Sequence, residues 1–344
     1  MSAAAGRSTI IMSTVPSVVS YGSAVGKMEG EGPLGSCFDY VSEDSCFGEN
    51  TWEKAESRLQ QHAFEQALLR GNIAESDISF MFAGDLLNQC TGSAYSMRGN
   101  GLPFIGLYGA CSTMAESLAM ASVFIDNGVG KYCGALTSSH FCSAERQFRF
   151  PETYGGQRPP TSQWTATASG CVIVGAHGAP PYVRSVTLGT VIDMGIKDAN
   201  NMGAAMAPAA YDTIKRHFSE TNTSPDDYDL IVTGDLGYVG GDLLRDLFMQ
   251  DGTDLGEKYT DCGMLLFERQ KQDVHAGGSG CGCSASVLCG HLLPQLQKGG
   301  LRNILFTATG ALMSTTLVQQ GESIPGIAHC VHISYSGDIP QTEG

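Results

Sequence analysis

The chain has 344 residues, 42% of them hydrophobic, and carries 20 Lys and Arg against 35 Asp and Glu, for a formal net charge of −15 and a pI near 4.8. Phosphate and anionic lipid both need clustered cations, so this balance argues against nucleic acid and against direct binding to a charged membrane surface. No apolar run approaches a membrane span, and twelve scattered cysteines imply a reducing compartment.

The N-terminus lacks the basic stretch and long apolar run of a secretory leader; residues 1–13 are expected to form a loose tail, and residues 1–20 are set apart as an N-terminal tail ahead of the first half. The first half, 21–178, begins with a helical pattern over 52–71. It leads through Glu75, Ser76 and Asp77 to a strand-like 78–82 and the turn Ala83, Gly84, Asp85, Leu86. An apolar run over 102–107 then breaks on Gly109 and Ala110 and gives way to a helix-like 112–126, with Cys111 at the junction. Such a junction presents its residue at a helix N-terminus, where unpaired N–H groups and the macrodipole favour a thiolate. The plain alternative for any one cysteine is a small buried hydrophobe.

After a strand-like 134–137 comes the segment 140–159, which holds His140 and three of the few arginines, Arg146, Arg149 and Arg158. Loops at strand ends are where α/β proteins keep function. Arg146 and Arg149 lie one helical turn apart and could fork a carboxylate or phosphate together; alternatively Arg146 pairs with Glu145 or another surface acid. The run 154–160, rich in Gly and Pro, is expected to form a shaped loop over a pocket mouth. Gly and Pro cluster again over 175–182, the expected hinge to the second half, 179–344.

The second half repeats the first. A helical 207–220 leads through Ser224, Pro225 and Asp226 to 230–232 and the turn Thr233, Gly234, Asp235, Leu236. One spacing separates Cys111 from Cys283 and Thr137 from Thr309, with a helix and a strand between, so we read an internal duplication. Strands alternating with helices in each half predict an α/β fold with right-handed crossovers and sheets covered on both faces. A reactive Cys111 needs a proton-transfer partner and oxyanion donors. The matching turns of the second half offer Asp235, Cys281, Gly282 and Cys283, none a histidine, and an aspartate is a poor base for a thiol unless burial raises its pKa. Asp85 and Asp235 have a plainer reading, as caps of their own turns. His291, inside the helix after Ser284, is expected to be a satisfied core residue. The lone CxC of Cys281 and Cys283 gives little support for a zinc site.

The stretches GEGPLG (30–35), FGENTWEKAE (47–56), AGDLLNQ (83–89), GACST (109–113), SSHFCSAERQFRFPETYGGQRPPT (138–161), VIDMGIKDANNMGAAMAPAA (191–210), SPDDYDLIVTGDLG (224–237), AGGSGCGCSA (276–285) and QQGESIPGIAH (319–329) carry a resemblance. Together with the duplicated plan they resemble the stage V sporulation protein AD family of the thiolase-fold superfamily, across nearly everything after residue 20. That resemblance implies a thiolase-like fold of two duplicated halves in αβαβα layers. It implies binding of dipicolinic acid, often as its calcium chelate, during uptake into the developing spore and release in germination. Partners would be the other stage V sporulation A membrane proteins, at the spore inner membrane and peripheral to it; the fold implies a homodimer. Condensing relatives place a histidine where this chain has 234–237, and a histidine or asparagine where it has 280–283. Both are missing here, which points away from catalysis and leaves acyl-CoA chemistry at Cys111, or a purely structural scaffold, as the alternatives. The expected ligand contacts are Cys111 and Ser112 at the elbow, His140, Arg146 and Arg149 on the following loop, and Asp235 and Cys283 from the second half. No protein metal site is expected; calcium enters only with the ligand.

Overall fold

A computed structural model describes residues 3–148 and 158–337. Each half builds a sheet of the same connectivity. In the first, Phe104–Gly106, Ile78–Gly84 and Tyr132–Ser139 run parallel, and Ala168–Gly175 and Ser17–Val25 continue antiparallel. In the second, Tyr259–Asp261, Leu230–Thr233 and Asn303–Ala311 run parallel, and Gly326–Ser334 and Tyr182–Leu188 continue antiparallel. The sheets touch edge to edge where Tyr182 faces Ser17. This repeated order is the duplication seen in the sequence, and the hinge expected over 175–182 is the link between Ala168–Gly175 and Tyr182–Leu188.

Helices layer these sheets. The outer helix Trp52–Gly71 buries Ala55, Leu59, Ala63, Phe64 and Ala67 at helical spacing against the first sheet, each Leu or Phe side chain contributing about 1.5–3 kcal/mol of burial. Met202–Thr221 covers the second sheet in the same way, its N-terminus capped by Asn201, which accepts from Ala204 N. Both outer helices stop on a left-handed asparagine, Asn72 (φ 48°) and Asn222 (φ 53°), a residue type that tolerates that conformation. Between the sheets lie Thr113–Asp126 and the run opening with Cys281–Val287. Cys281–Val287 is buried at every residue, so it has no polar face, and its small side chains let the layers close. The result is the layered α/β arrangement expected of a thiolase-like fold.

The N-terminal segment departs from expectation. The described part of the expected loose tail, residues 3–13, is ordered: Ala3–Ala5 pairs with Thr9–Ile11, and Thr9–Ile11 pairs antiparallel with Tyr182–Leu188, while Ser17–Val25 begins within the first twenty residues. Glu220 accepts from the backbone N–H groups of Arg7 and Ser8, and Asp126 accepts from those of Ser13 and Thr14. The first residues thus close the sheet of the second half. Strands of three residues are too short to show a period of two.

Candidate ligand-binding site

Cys111 stands on a tight turn, Ala110–Ser112, that feeds the helix Thr113–Asp126. Ala110 is left-handed (φ 51°), a conformation that costs a non-glycine residue about 1–2 kcal/mol. The turn rests on the second half. A Cβ on Gly310 would lie 2.2 Å from Gly109 O and 3.3 Å from Cys111 N, so only glycine fits beneath it.

A cavity of about 740 Å³ opens above Cys111. Its walls come from both halves: Phe141, Ala144 and Phe148 on one side, Met202, Met206 and Met313 on another, and a polar set of Glu145, Arg158, Gln163, Asn200 and Ser279. Apolar walls with a few fixed polar groups are the usual form of a small-molecule site.

Cys111 is held as a thiol. Its S–H lies within hydrogen-bond reach of the Asp235 carboxylate, and burial first, then that carboxylate's charge, push its pKa well above the ordinary thiol range. The N–H of Gly280 faces the sulfur too, which opposes the shift without reversing it. Asp235 is fully buried. Its Oδ1 accepts from Thr309 Oγ1 (2.7 Å) and its Oδ2 from Gly280 N (2.9 Å) and Ser279 Oγ (3.0 Å). Burial raises the pKa of Asp235 despite these donors. Asp235 therefore does not cap its own turn, as the plain reading supposed. Asp261 does that, accepting from Leu236 N (2.8 Å) and Gly237 N (3.0 Å). Asp85 does cap its own turn, accepting from Leu87 N (2.9 Å) and from Ser93.

The other expected contacts divide. Ser112 is buried and donates to Gly109 O (2.7 Å), turned from the cavity. His140 is buried beneath the loop: Nε2–H donates to Ser45 O (2.7 Å), Phe47 meets the ring edge-on, and burial lowers its pKa, so the ring is neutral and does not line the cavity. Arg146 is half exposed, pairs with Glu53 and lies over the Trp52 ring. That is the surface-acid alternative with a different acid, and it carries Arg146 away from the cavity. Arg149 lies outside the described residues, as do 154–157 of the expected mouth loop. Cys283 packs in the core near Cys262, while Cys281 faces the Cys111 side and donates to Ser138 O (2.8 Å). Of the seven, Cys111 lines the cavity and Asp235 supports it from behind.

Among the described residues, the arginine at the cavity is Arg158. Its Nη2 donates to Asp273 O (2.5 Å) and pairs with the Asp273 carboxylate (3.1 Å). Its guanidinium lies 4.8 Å above the Trp164 ring, which stacks on Phe141 at 3.8 Å. Nη1 is buried with no partner among the described residues. The sequence showed Arg158 within the arginine cluster, and nothing in the spacing marked it above Arg146 and Arg149. Gln163 carries no sequence signal at all. His291 is bonded to Gln295 but is half-buried and not in the core where it was expected. Among the described residues no group of His, Cys, Asp and Glu could hold a metal ion, and no helix is long and apolar enough to cross a membrane.

Comparison with known proteins gives two results. Residues 6–334 match the family described as Stage V sporulation protein AD (SpoVAD). A relative of that description from Bacillus subtilis (strain 168) is 46% identical over 320 residues, 93% of this chain and 94% of the relative. Among solved structures, OleA from Xanthomonas campestris (in a variant form) superposes with a TM-score of 0.60 at 11% identity, covering 93% of this chain and 98% of that one. The 3-oxoacyl-[acyl-carrier-protein] synthase III of Aquifex aeolicus gives 0.56 at 12% identity, covering 93% and 100%. At these identities the likeness shows the fold alone, and that fold is thiolase-like.

Proposed function

The chain belongs to the stage V sporulation protein AD family and has a role in sporulation, and on that premise we propose that it binds dipicolinic acid, pyridine-2,6-dicarboxylate, without turning it over. One observation carries the reading: Arg158, whose buried Nη1 has no partner among the described residues, stands on the wall of a cavity that also presents Phe141, Phe148, Met202, Met206 and Met313. A flat dicarboxylate matches that wall. One carboxylate would take a charge-assisted bond from Nη1, and the ring would lie along Phe141, which is backed by the stacked Trp164. Such a ligand, bare or as its calcium chelate, would have this local cation to offset the overall negative charge of the protein.

The environment of Cys111 supports binding over acyl transfer. An acyl-transfer nucleophile needs its thiolate, and here burial and Asp235 both oppose it. The proposal extends to uptake into the forming spore and release in germination, with the protein peripheral to the spore inner membrane through other stage V sporulation A proteins. It extends also to a homodimer, for which the sheet edge at Phe104–Gly106, beside the exposed Tyr108, is the available face. Calorimetry with dipicolinate, with and without calcium, tests the core of it. Wild type should bind and Arg158→Ala should lose at least tenfold in affinity; absence of binding by wild type in either form would end the proposal.

A further inference from the structure

The turn 268–275 shapes an open hollow of about 450 Å³, lined by Pro160, residues 269–273 and His275. The turn is preformed. Gln272 pins it from within: Nε2 donates to Met28 O (2.7 Å) on the first half, and Oε1 accepts from Glu268 N (2.8 Å). The N–H groups of Lys271 and Gln272 both donate to Glu268 O (2.9 and 2.8 Å). Of the protein's 20 lysines and arginines, Arg158, Arg269 and Lys271 meet here, against one lining acid, Asp273. That acid is already engaged, because its carboxylate takes His275 Nε2 (2.8 Å) and Arg158 Nη2 (3.1 Å). Glu268, the turn's other acid, does not line the hollow. Arg269 is aimed by its Nε–H bond to His275 O (2.9 Å) and by the Tyr238 ring, 4.2 Å from the guanidinium. Arg269 and Lys271 are both exposed, and neither has a carboxylate partner among the described residues.

Two uncompensated cations at one concavity, on a chain of net charge −15, favour an anionic partner at this point against the field of the rest. Exposed charge pairs contribute little singly, so a small anion gains too little here, whereas a run of carboxylates along an extended chain engages Arg269 and Lys271 together. A plane of anionic lipid would also press its charge against the acidic remainder of the surface, which a narrow peptide strand avoids. We infer that this hollow docks an acidic segment of a partner protein. The partner would stand beside the strap 158–160, whose Pro160 lines the hollow and whose Arg158 and Pro159 line the ligand cavity. Nothing in this docking depends on which ligand that cavity takes.

Fluorescence anisotropy with dye-labelled hexaglutamate on the full chain tests it. Wild type should bind the peptide, less tightly as salt rises, and should not bind hexaglutamine. Arg269→Gln with Lys271→Gln should lose at least about fivefold in affinity. Lys54→Gln with Lys298→Gln, an equal change of charge at exposed positions off the hollow, should lose less than about twofold. On wild type, hexaglutamate bearing a photo-crosslinker should label Pro160 or the turn 268–275; labelling confined elsewhere overturns the inference whether or not the variants fold. No binding by wild type, or equal losses in the two variants, overturns it as well. So does capture of phosphatidylglycerol vesicles through Arg269 and Lys271 without peptide binding, which would make the hollow a lipid contact.

Discussion

Asp261 ties down the loop that carries Asp235, and replacing it with asparagine has a calculable pH signature. Its Oδ1 accepts from Gly237 N (3.0 Å) and Gly263 N (2.8 Å), and its Oδ2 from Leu236 N (2.8 Å) and Thr233 Oγ1 (2.7 Å). In Asp261→Asn the new NH2 fits best at the Oδ2 position, where the Thr233 hydroxyl can turn round but Leu236 N–H cannot. One buried backbone donor is left unpaired, a cost of about 1–3 kcal/mol. Burial raises the pKa of Asp261 to about 7 from 3.8. A carboxyl raised on folding contributes stability below its unfolded pKa and loses it as pH rises through the folded one, so wild type weakens toward alkaline pH while the asparagine does not. Between pH 5.5 and 8.5 the difference amounts to about 2 kcal/mol. Asp261→Asn should therefore be clearly less stable than wild type at pH 5.5 and close to it at pH 8.5, measured by urea unfolding at both. Groups common to both proteins, including His217, His329 and His332, cancel in the comparison. A gap that stays constant or widens toward pH 8.5 refutes the buried, proton-retaining Asp261.

Four further outcomes follow from the same contacts. Cys111 should alkylate slowly at pH 7–8, with a rate still climbing above pH 9, and Asp235→Asn should quicken it; rapid labelling near neutrality would restore the nucleophile reading. Gly310→Ala forces its Cβ against Gly109 O and should lower stability by roughly 1–3 kcal/mol, seen as a reduced urea midpoint; an unchanged midpoint would show that the Cys111 turn does not rest there. Arg146→Ala, which removes an exposed pair, should cost no more than about 1 kcal/mol and leave ligand affinity unchanged; a tenfold affinity loss would return Arg146 to the site. Only Trp52 and Trp164 fluoresce as indoles here, so dipicolinate should quench emission through Trp164, and quenching that survives in Trp164→Phe would place the ligand elsewhere.

The fold was readable because it is written twice. Asp85 and Asp235, or Thr137 and Thr309, return at matching places in strands of matching order, and the glycines at 109 and 310 mark where the halves press together. The N-terminal strands were not readable, since Thr9–Ile11 is ordered by Tyr182–Leu188, a partner far along the chain. At the site, Cys111 was legible from its junction between an apolar run and a helix. The arginines were legible as a cluster and illegible as individuals. What separates Arg146 from Arg158 is that one finds Glu53 and Trp52 at the surface and the other finds Asp273 and Trp164 at the cavity, and neither partner is near in sequence. His140 looked like a ligand contact because it follows a strand; its ring instead turns inward to Ser45, which position along the chain cannot reveal. Gln163 gains its meaning entirely from two carbonyls brought to it by the second half.

The most direct measurement is a crystal structure of the protein soaked with dipicolinate. The account predicts one ligand in the cavity above an unmodified Cys111, with a carboxylate oxygen within hydrogen-bond distance of Arg158 Nη1 and the ring along Phe141. A ligand bound at another surface with this cavity empty, or a covalent adduct on Cys111, would contradict it.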